Sequence, residues 1–471
     1  MTTPKFDVAG LLASRSGDAF ALHEQFVNPQ FDKVLRVLGF DIRYVRGEGA
    51  YLYDDRGQRY IDCLAGFGVF GVGRNHPVVR DAIIDAMRAD LPSLVKMGPY
   101  RVSGLLAEEL CRIAPGDGQL QRVYFTNCGA AGVETAIKYA RAATGRSRVL
   151  FCKRGYHGLT LGALSVNGGN EFRAGFGNLP GDATMLPFND LPALDRELAR
   201  GDVAGFIVEP IQGKGVNIPA DDYLPQAAQL CRRRGALFIA DEVQTGFGRT
   251  GRWFACQHWG VVPDIMVTSK ALSGGYVPVG AVLTTKAIHD KVFSSLDRCM
   301  VHSNTFGQND LAMVAGLATL HVMREEKLVE NAAAVGEHLM AGLRQMVGRL
   351  EMVKDVRGRG LMVAVEFGPP RARSVMLRTG WELLHKVDAG LFPQAVLIPL
   401  LRDHHVLAQV AGHHQDVIKL IPPLVLTRAD ADAIVAGMDA AVAACHKFPG
   451  PAWEVGKRLA SQAMKKEPAG A

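Results

Sequence analysis

The chain has no basic run and no RNA- or DNA-binding motif, and its net charge of +6 is small for 471 residues. Acids and bases are interspersed, so a nucleic-acid partner is excluded at this level. Its eight cysteines (63, 111, 128, 152, 231, 256, 299, 445) form no CxxC pair and no metal-ligand spacing. Scattered cysteines in a long chain are expected to be reduced thiols in a cytoplasmic protein. The opening MTTPKFDVAG lacks the apolar core of a signal peptide. The longest strongly apolar stretch near the C-terminus, LFPQAVLIPLL at 391–401, is too short to span a bilayer and holds two prolines, so no stable membrane association is expected. Repeats and low-complexity segments are also missing. Ordinary globular composition remains, with 48% hydrophobic and 21% charged residues, and a length that accommodates two domains or more.

The pattern along the chain divides it into three parts. Residues 1–75 carry an expected amphipathic helix at 20–38 and a hairpin at 51–63, with DDRG as its turn. From 76 to 340, short β-rich runs alternate with helical stretches. The runs are 122–126, 148–152, 205–210, 236–242, 264–270 and 279–285. Near-continuous apolar strands separated by helices such as 132–143 and 223–235 predict a doubly wound, mainly parallel sheet covered on both faces. The α/β class follows. From 341 to 471 the pattern is mixed, and a smaller α/β domain packed with the N-terminal segment is expected. Within it, 383–415 is apolar and rich in histidine (His404, His405, His413, His414). Adjacent histidine pairs lack metal-ligand geometry, so no metal site is expected. The stretch fits either an apolar loop at a pocket mouth or core packing.

Ligands of open α/β sheets gather at the carboxyl ends of the strands. Several chemistry-bearing residues fall there. FTNCGAAG (125–132) leaves a strand and opens a helix, so its small residues let backbone N–H groups approach an anion, although tight strand–helix packing explains them too. Tyr156 of YHG follows the next strand, Glu209 ends a third, Asp241 a fourth and Lys270 a fifth. Taken singly, Asp241 reads more readily as a helix cap or Asx-turn acceptor, and Lys270 as an exposed lysine just past a strand. Together they offer an amine for an aldehyde cofactor, a carboxylate for a pyridinium N–H, and a helix N-terminus for a phosphate. Those are the handles of pyridoxal 5′-phosphate.

With these residues in view, the chain resembles the class III pyridoxal-phosphate-dependent aminotransferases of fold type I, closest to their ornithine, acetylornithine and putrescine branch. The resemblance covers nearly the whole chain. Its most specific element is ADEVQTGFGRTG (240–251), with Lys270 in TSKALSGG 29 residues after Asp241. The resemblance implies that Lys270 carries the cofactor covalently and moves the proton, and that Asp241 pairs with the ring nitrogen. It puts Val243 under the ring, Tyr156 on its other face and Gln244 near its phenolic oxygen. Gly129 and Ala130 would bind the phosphate through backbone N–H groups. Thr305, in HSNTFGQND (302–310), would bind the phosphate of the neighbouring subunit, which implies a homodimer or larger assembly. The implied reaction is a ping-pong transfer from a small-molecule amine donor to a keto-acid acceptor.

Departures from the family concern the substrate. Leu159 follows YHG where an arginine is common, Lys214 in QGKGV (212–216) stands for a gating glutamate with one residue fewer, and Lys419 in VIKLIPPLVLT (417–427) stands for an arginine. A leucine cannot imitate a bidentate clamp on a carboxylate. The pocket is therefore expected to favour a primary (omega) amine or diamine over ornithine or acetylornithine. An enzyme aminating a hopanoid-type lipid side chain and an aminomutase on the same fold are the alternatives. Ala131 replaces a usual glutamate, and the sequence gives that change no meaning.

Overall fold

The structure is a computed structural model that describes residues 6–370, 375–387, 390–412, 415–447 and 450. Its strands in chain order are β1 Tyr44–Glu48, β2 Tyr51–Asp54, β3 Arg59–Asp62, β4 Arg122–Thr126, β5 Arg148–Cys152, β6 Ala183–Leu186, β7 Val203–Val208, β8 Leu237–Asp241, β9 Ile265–Thr268, β10 Gly280–Thr284, β11 Val353–Arg359, β12 Met362–Phe367, β13 Val406–Leu407, β14 Gln409–Val410 and β15 Val417–Leu420. They form three sheets, ordered β1-β2-β3-β13, β4-β10-β9-β8-β7-β5-β6 and β11-β12-β15-β14.

The seven-stranded sheet is the frame of the site. Its strands β5, β7, β9 and β10 are buried along their whole length, the burial expected of strands covered on both faces. The helix Gly129–Thr144 lays Val133, Ala136, Ile137 and Ala140 on Val149, Ile207, Ile239 and Val267. Truncating one such aliphatic side chain to alanine costs about 2–5 kcal/mol.

One strand departs from the parallel expectation. β10 runs antiparallel to both β9 and β4. A parallel crossover needs about a dozen residues and usually a helix. Between β9 and β10 the chain holds only the short 3-10 turn Lys270–Ser273 and a loop, so it returns antiparallel.

Three other expectations change in detail. The helix at 20–38 is two helices, Ala19–Phe26 and Pro29–Leu38. Asn28 breaks it: its side chain accepts from Phe31 N–H at 3.1 Å, and Pro29 opens the second helix. In the C-terminal part, expected only to be mixed, β11 and β12 form a hairpin reversed at Gly360 with φ +54°. The stretch 383–415 is mostly core: helix Leu391–Arg402 buries Phe392, Val396, Leu397 and Leu400. Among its described residues, only Gln409 to Gly412 reach the cavity described below. His413 and His414 lie outside the described residues, and no group that could hold a metal occurs among those described.

The hairpin at 51–63 forms as expected. Asp54 turns it by accepting from Arg56 N–H (2.9 Å) and Gln58 N–H (2.8 Å). β13 extends that sheet by pairing in parallel with β3, which ties the N-terminal segment to the C-terminal part. No helix among the described residues is long and apolar enough to cross a membrane.

Candidate active site

A cavity of about 880 Å³ opens at the carboxyl ends of β5, β7, β8 and β9. Gly129 and Ala130 enter it from the start of the helix after β4, Tyr156 and Leu159 from the loop after β5, and Glu209 from the end of β7. Asp241, Val243 and Gln244 come from β8 and its loop, and Lys270 from just past β9. Phe67 from the N-terminal segment and Lys419 from β15 complete the wall, with Lys214 and Phe172 at two further loops. Ten of the expected site residues thus share one space. Thr305 does not: it lies exposed on the loop before helix Asp310–Glu325, where its carbonyl accepts from Lys96 Nζ.

Asp241 is 3% exposed, and both its oxygens are held. Oδ2 meets His157 Nδ1 at 2.7 Å and Oδ1 accepts from Val243 N–H at 3.1 Å. Burial opposes charging of His157, but the hydrogen bond and charge of Asp241, with Glu209, outweigh it and raise its pKa. Its Nε2 is buried without a partner among the described residues. Glu209 is buried too, and accepts from Tyr156 N–H (2.9 Å) and Gly213 N–H (2.8 Å). Burial pushes its carboxyl above the usual range.

Lys270 has φ +31°, a strained conformation for a residue with a side chain. Burial lowers the pKa of its ammonium, against the pull of Asp241 and Glu209. That direction makes the proton easier to give up, and the neutral amine is the nucleophilic form. Lys419 is buried as well. Its Nζ donates to Gly213 O (2.8 Å) and Gln244 Oε1 (3.2 Å). Burial, with Lys270 and Arg249 nearby, brings it down to about 7 despite Glu209. Gln244 spends its amide N–H on Phe67 O at 3.0 Å. Lys214 is ion-paired with Glu171, so it does not stand as a free cation over the pocket.

These residues fit pyridoxal 5′-phosphate. A buried carboxylate is costly unless a cation meets it, and Asp241 has His157 on one oxygen and the cavity beside it. Gly129 fits closely: a Cβ there would stand 2.9 Å from Val243 Cγ1. The 16-residue helix that follows offers its first N–H groups to an anion.

His157 and Glu209 extend the expected constellation. Both were visible as residues at strand ends, His157 within YHG. No local signal shows that the histidine, not the tyrosine beside it, reaches an aspartate 84 positions away. Glu171 and Phe172 carried no signal at all.

Comparison with known proteins places the fold and site in a class. Residues 36–442 match the family described as Aminotransferase class-III. The chain therefore belongs to the class III aminotransferases, and its cofactor is pyridoxal 5′-phosphate. Among relatives, it is 38% identical to the putrescine aminotransferase of Pectobacterium atrosepticum, covering 76% of this chain and 78% of that one. It is 32% identical over 448 residues to the aminotransferase PigE of Serratia, covering 89% of this chain. It spans about half, 52%, of that protein's length. The ornithine aminotransferase of Toxoplasma gondii superposes with a TM-score of 0.81 at 29% identity, over 94% of this chain and 99% of that chain.

Proposed function

We propose that the enzyme moves the amino group of a primary (omega) amine or a diamine to a keto acid by a ping-pong mechanism. One observation carries the donor preference: among the described residues no arginine lines the cavity, and Leu159 stands on its wall. A donor with an α-carboxylate beside its reacting amine finds no bidentate clamp there. A donor without one gains apolar contact with Leu159, Phe172 and Val410. The name of the Pectobacterium relative, a putrescine aminotransferase, agrees with a diamine.

The cofactor supplies an electron sink for the carbon that loses its proton. In this reading Lys270 carries the cofactor covalently, then takes and returns that proton. Asp241 would keep the ring nitrogen protonated, Val243 and Tyr156 would hold the ring, and Gln244 would serve its phenolic oxygen. Gly129 and Ala130 donate backbone N–H groups to the phosphate, and Thr305 completes the phosphate site of a partner copy. Lys419 receives the carboxylate of the acceptor. The division into residues 1–75, a cofactor-binding domain at 76–340 and a small domain at 341–471 belongs to the same reading. So does a cytoplasmic location, supported by eight cysteines that are all free thiols.

An ornithine or acetylornithine enzyme is the second reading, favoured by the buried ammonium of Lys419 at a position able to take a carboxylate. The hopanoid alternative rests on the apolar stretch 383–415, whose helix Leu391–Arg402 is largely buried while Gln409 to Gly412 line the cavity. An aminomutase would turn over without an added keto acid. A panel of diamines, hydrophobic amines, ornithine and acetylornithine, assayed with pyruvate and 2-oxoglutarate, tests all of these. The expected result is a higher kcat/KM for a diamine or hydrophobic amine; ornithine as best donor overturns the donor reading. Lys270→Ala is expected to lose the visible absorbance band of the bound cofactor and all turnover.

A further inference from the structure

Two ammoniums flank the Gly213–Lys214 turn, and their surroundings differ. Lys419 Nζ donates to two neutral oxygens, Gly213 O and Gln244 Oε1, and forms no ion pair among the described residues. Lys214 is ion-paired with Glu171, which arrives from a separate segment, the 3-10 turn Asn170–Phe172, 43 residues earlier. The next residue of that turn, Phe172, lies under the Lys214 ammonium, 4.2 Å from ring centroid to Nζ, and packs edge-on against Tyr156 at 5.4 Å. The pair is largely withdrawn from water, with side-chain exposures of 13% for Lys214 and 28% for Glu171, so solvent screens it less than a surface pair.

Lys214 and Phe172 line the cavity together with Lys419. An acceptor with one carboxylate needs one cation, and Lys419 provides it. An acceptor with a second carboxylate would meet a lysine already neutralised, an apolar wall of Phe172 and Leu159, and the negative charge of Glu171 itself. Leaving a carboxylate desolvated without a partner is costly.

We infer that Glu171 is a specificity-determining residue: by neutralising Lys214 it restricts the carbonyl acceptor to 2-oxo monocarboxylic acids and excludes 2-oxo dicarboxylic acids. The inference rests on the aminotransferase site proposed above, with Lys419 as the first carboxylate anchor.

Single-turnover reaction of the amino form of the holoenzyme with pyruvate or 2-oxoglutarate tests it. The wild type is expected to favour pyruvate by ~10-fold or more in kcat/KM, the worth of one charge-assisted contact. Glu171→Gln releases the Lys214 ammonium, and the ratio of 2-oxoglutarate to pyruvate should rise by ~10-fold, on the same basis. Adding Lys214→Met should abolish that rise. Lys214→Met alone, which bares the Glu171 carboxylate, should not raise the ratio. A wild type that uses 2-oxoglutarate as well as pyruvate overturns the inference. So does a ratio unmoved in Glu171→Gln, or one that rises in Lys214→Met alone. Thermal protection of the holoenzyme by glutarate, a dicarboxylate with no reactive carbonyl, gives a second measure. Glutarate is expected to protect Glu171→Gln and not the wild type, and equal protection of both overturns the inference. Should Glu171→Gln fail to fold, Glu171→Ala and Lys214→Met carry the same comparison. Absence of turnover with every acceptor would count against the proposed function, and the glutarate measurement would still decide this one.

Discussion

Asp241 divides its two oxygens between His157 and Val243 N–H, and this decides what each substitution does. Asp241→Asn keeps the shape and removes the charge that, in the proposed role, holds a ring nitrogen protonated. The expected loss in kcat is ~10²-fold or more, with cofactor still bound; wild-type turnover would contradict the role. His157 acts through Asp241 as a positioning residue. His157→Gln is expected to cost about tenfold in kcat, the worth of one hydrogen bond to a charged group. It should also shift the pH dependence of the cofactor's visible band, which a merely structural role would leave alone.

Lys419 gives a prediction with a definite sign. Its ammonium is brought down to about 7 by burial, Lys270 and Arg249, with Glu209 opposing. The charged form, which alone holds a carboxylate, exists below that value and is lost as pH rises through it. KM for the keto acid should therefore climb above about pH 7, by up to ~10-fold per unit. Lys419→Arg stays protonated and should flatten the profile. The amine half-reaction should be less affected. A KM for the keto acid that is independent of pH in the wild type would refute this.

Between residue and fold, short elements hold the reactive loops in place. Glu134 in helix Gly129–Thr144 reaches across to helix Leu161–Ser165. There its Oε1 accepts from Thr160 Oγ1 (2.6 Å), Gly162 N–H (2.9 Å) and Ala163 N–H (3.1 Å). It thereby fixes the segment that carries Tyr156, His157 and Leu159 against the helix that begins at Gly129. Glu134→Ala leaves those donors unmet and is expected to lower stability by about 1–3 kcal/mol, readable as a drop in Tm. Ala131 in the same helix has no account in the structure. Legibility varied among these elements. The parallel strands could be read because burial on both faces makes them apolar throughout. The break at Asn28-Pro29 had its own signal, an N-cap residue before proline, yet helical periodicity runs through it and hides it. The direction of β10 depends on the length of a connection, and an apolar run does not encode direction.

On the scale of the whole molecule, the cavity belongs to no single sheet. The large sheet supplies Asp241 and Lys270, the segment before it Phe67, and the third sheet Lys419 and Val410. Thr305, exposed beside Phe306 (58% exposed), is not among the residues that line its own cavity. The proposed role therefore requires a second copy. The enzyme is expected to be a dimer or larger in solution, and a fully active monomer at high dilution would refute that. Thr305→Ala should weaken cofactor retention. Mixed dimers of Thr305→Ala with Lys270→Ala should restore one intact site of two, since one chain then supplies the lysine and the other the threonine.

The sequence by itself determined the chemistry. Asp241, Lys270 and the small residues at 129–130 are legible because each sits where an apolar strand ends, and such ends meet at one edge of an α/β sheet whatever the loops do. The tertiary structure alone decided which partner each group takes. His157 finds Asp241 across 84 residues, Lys214 is paired with Glu171 at the cavity wall, and Lys419 becomes a buried cation held by neutral oxygens. Strand ends are local and follow from hydrophobic pattern. Charge pairing between distant loops depends on distances of a few ångströms that only the packed chain sets.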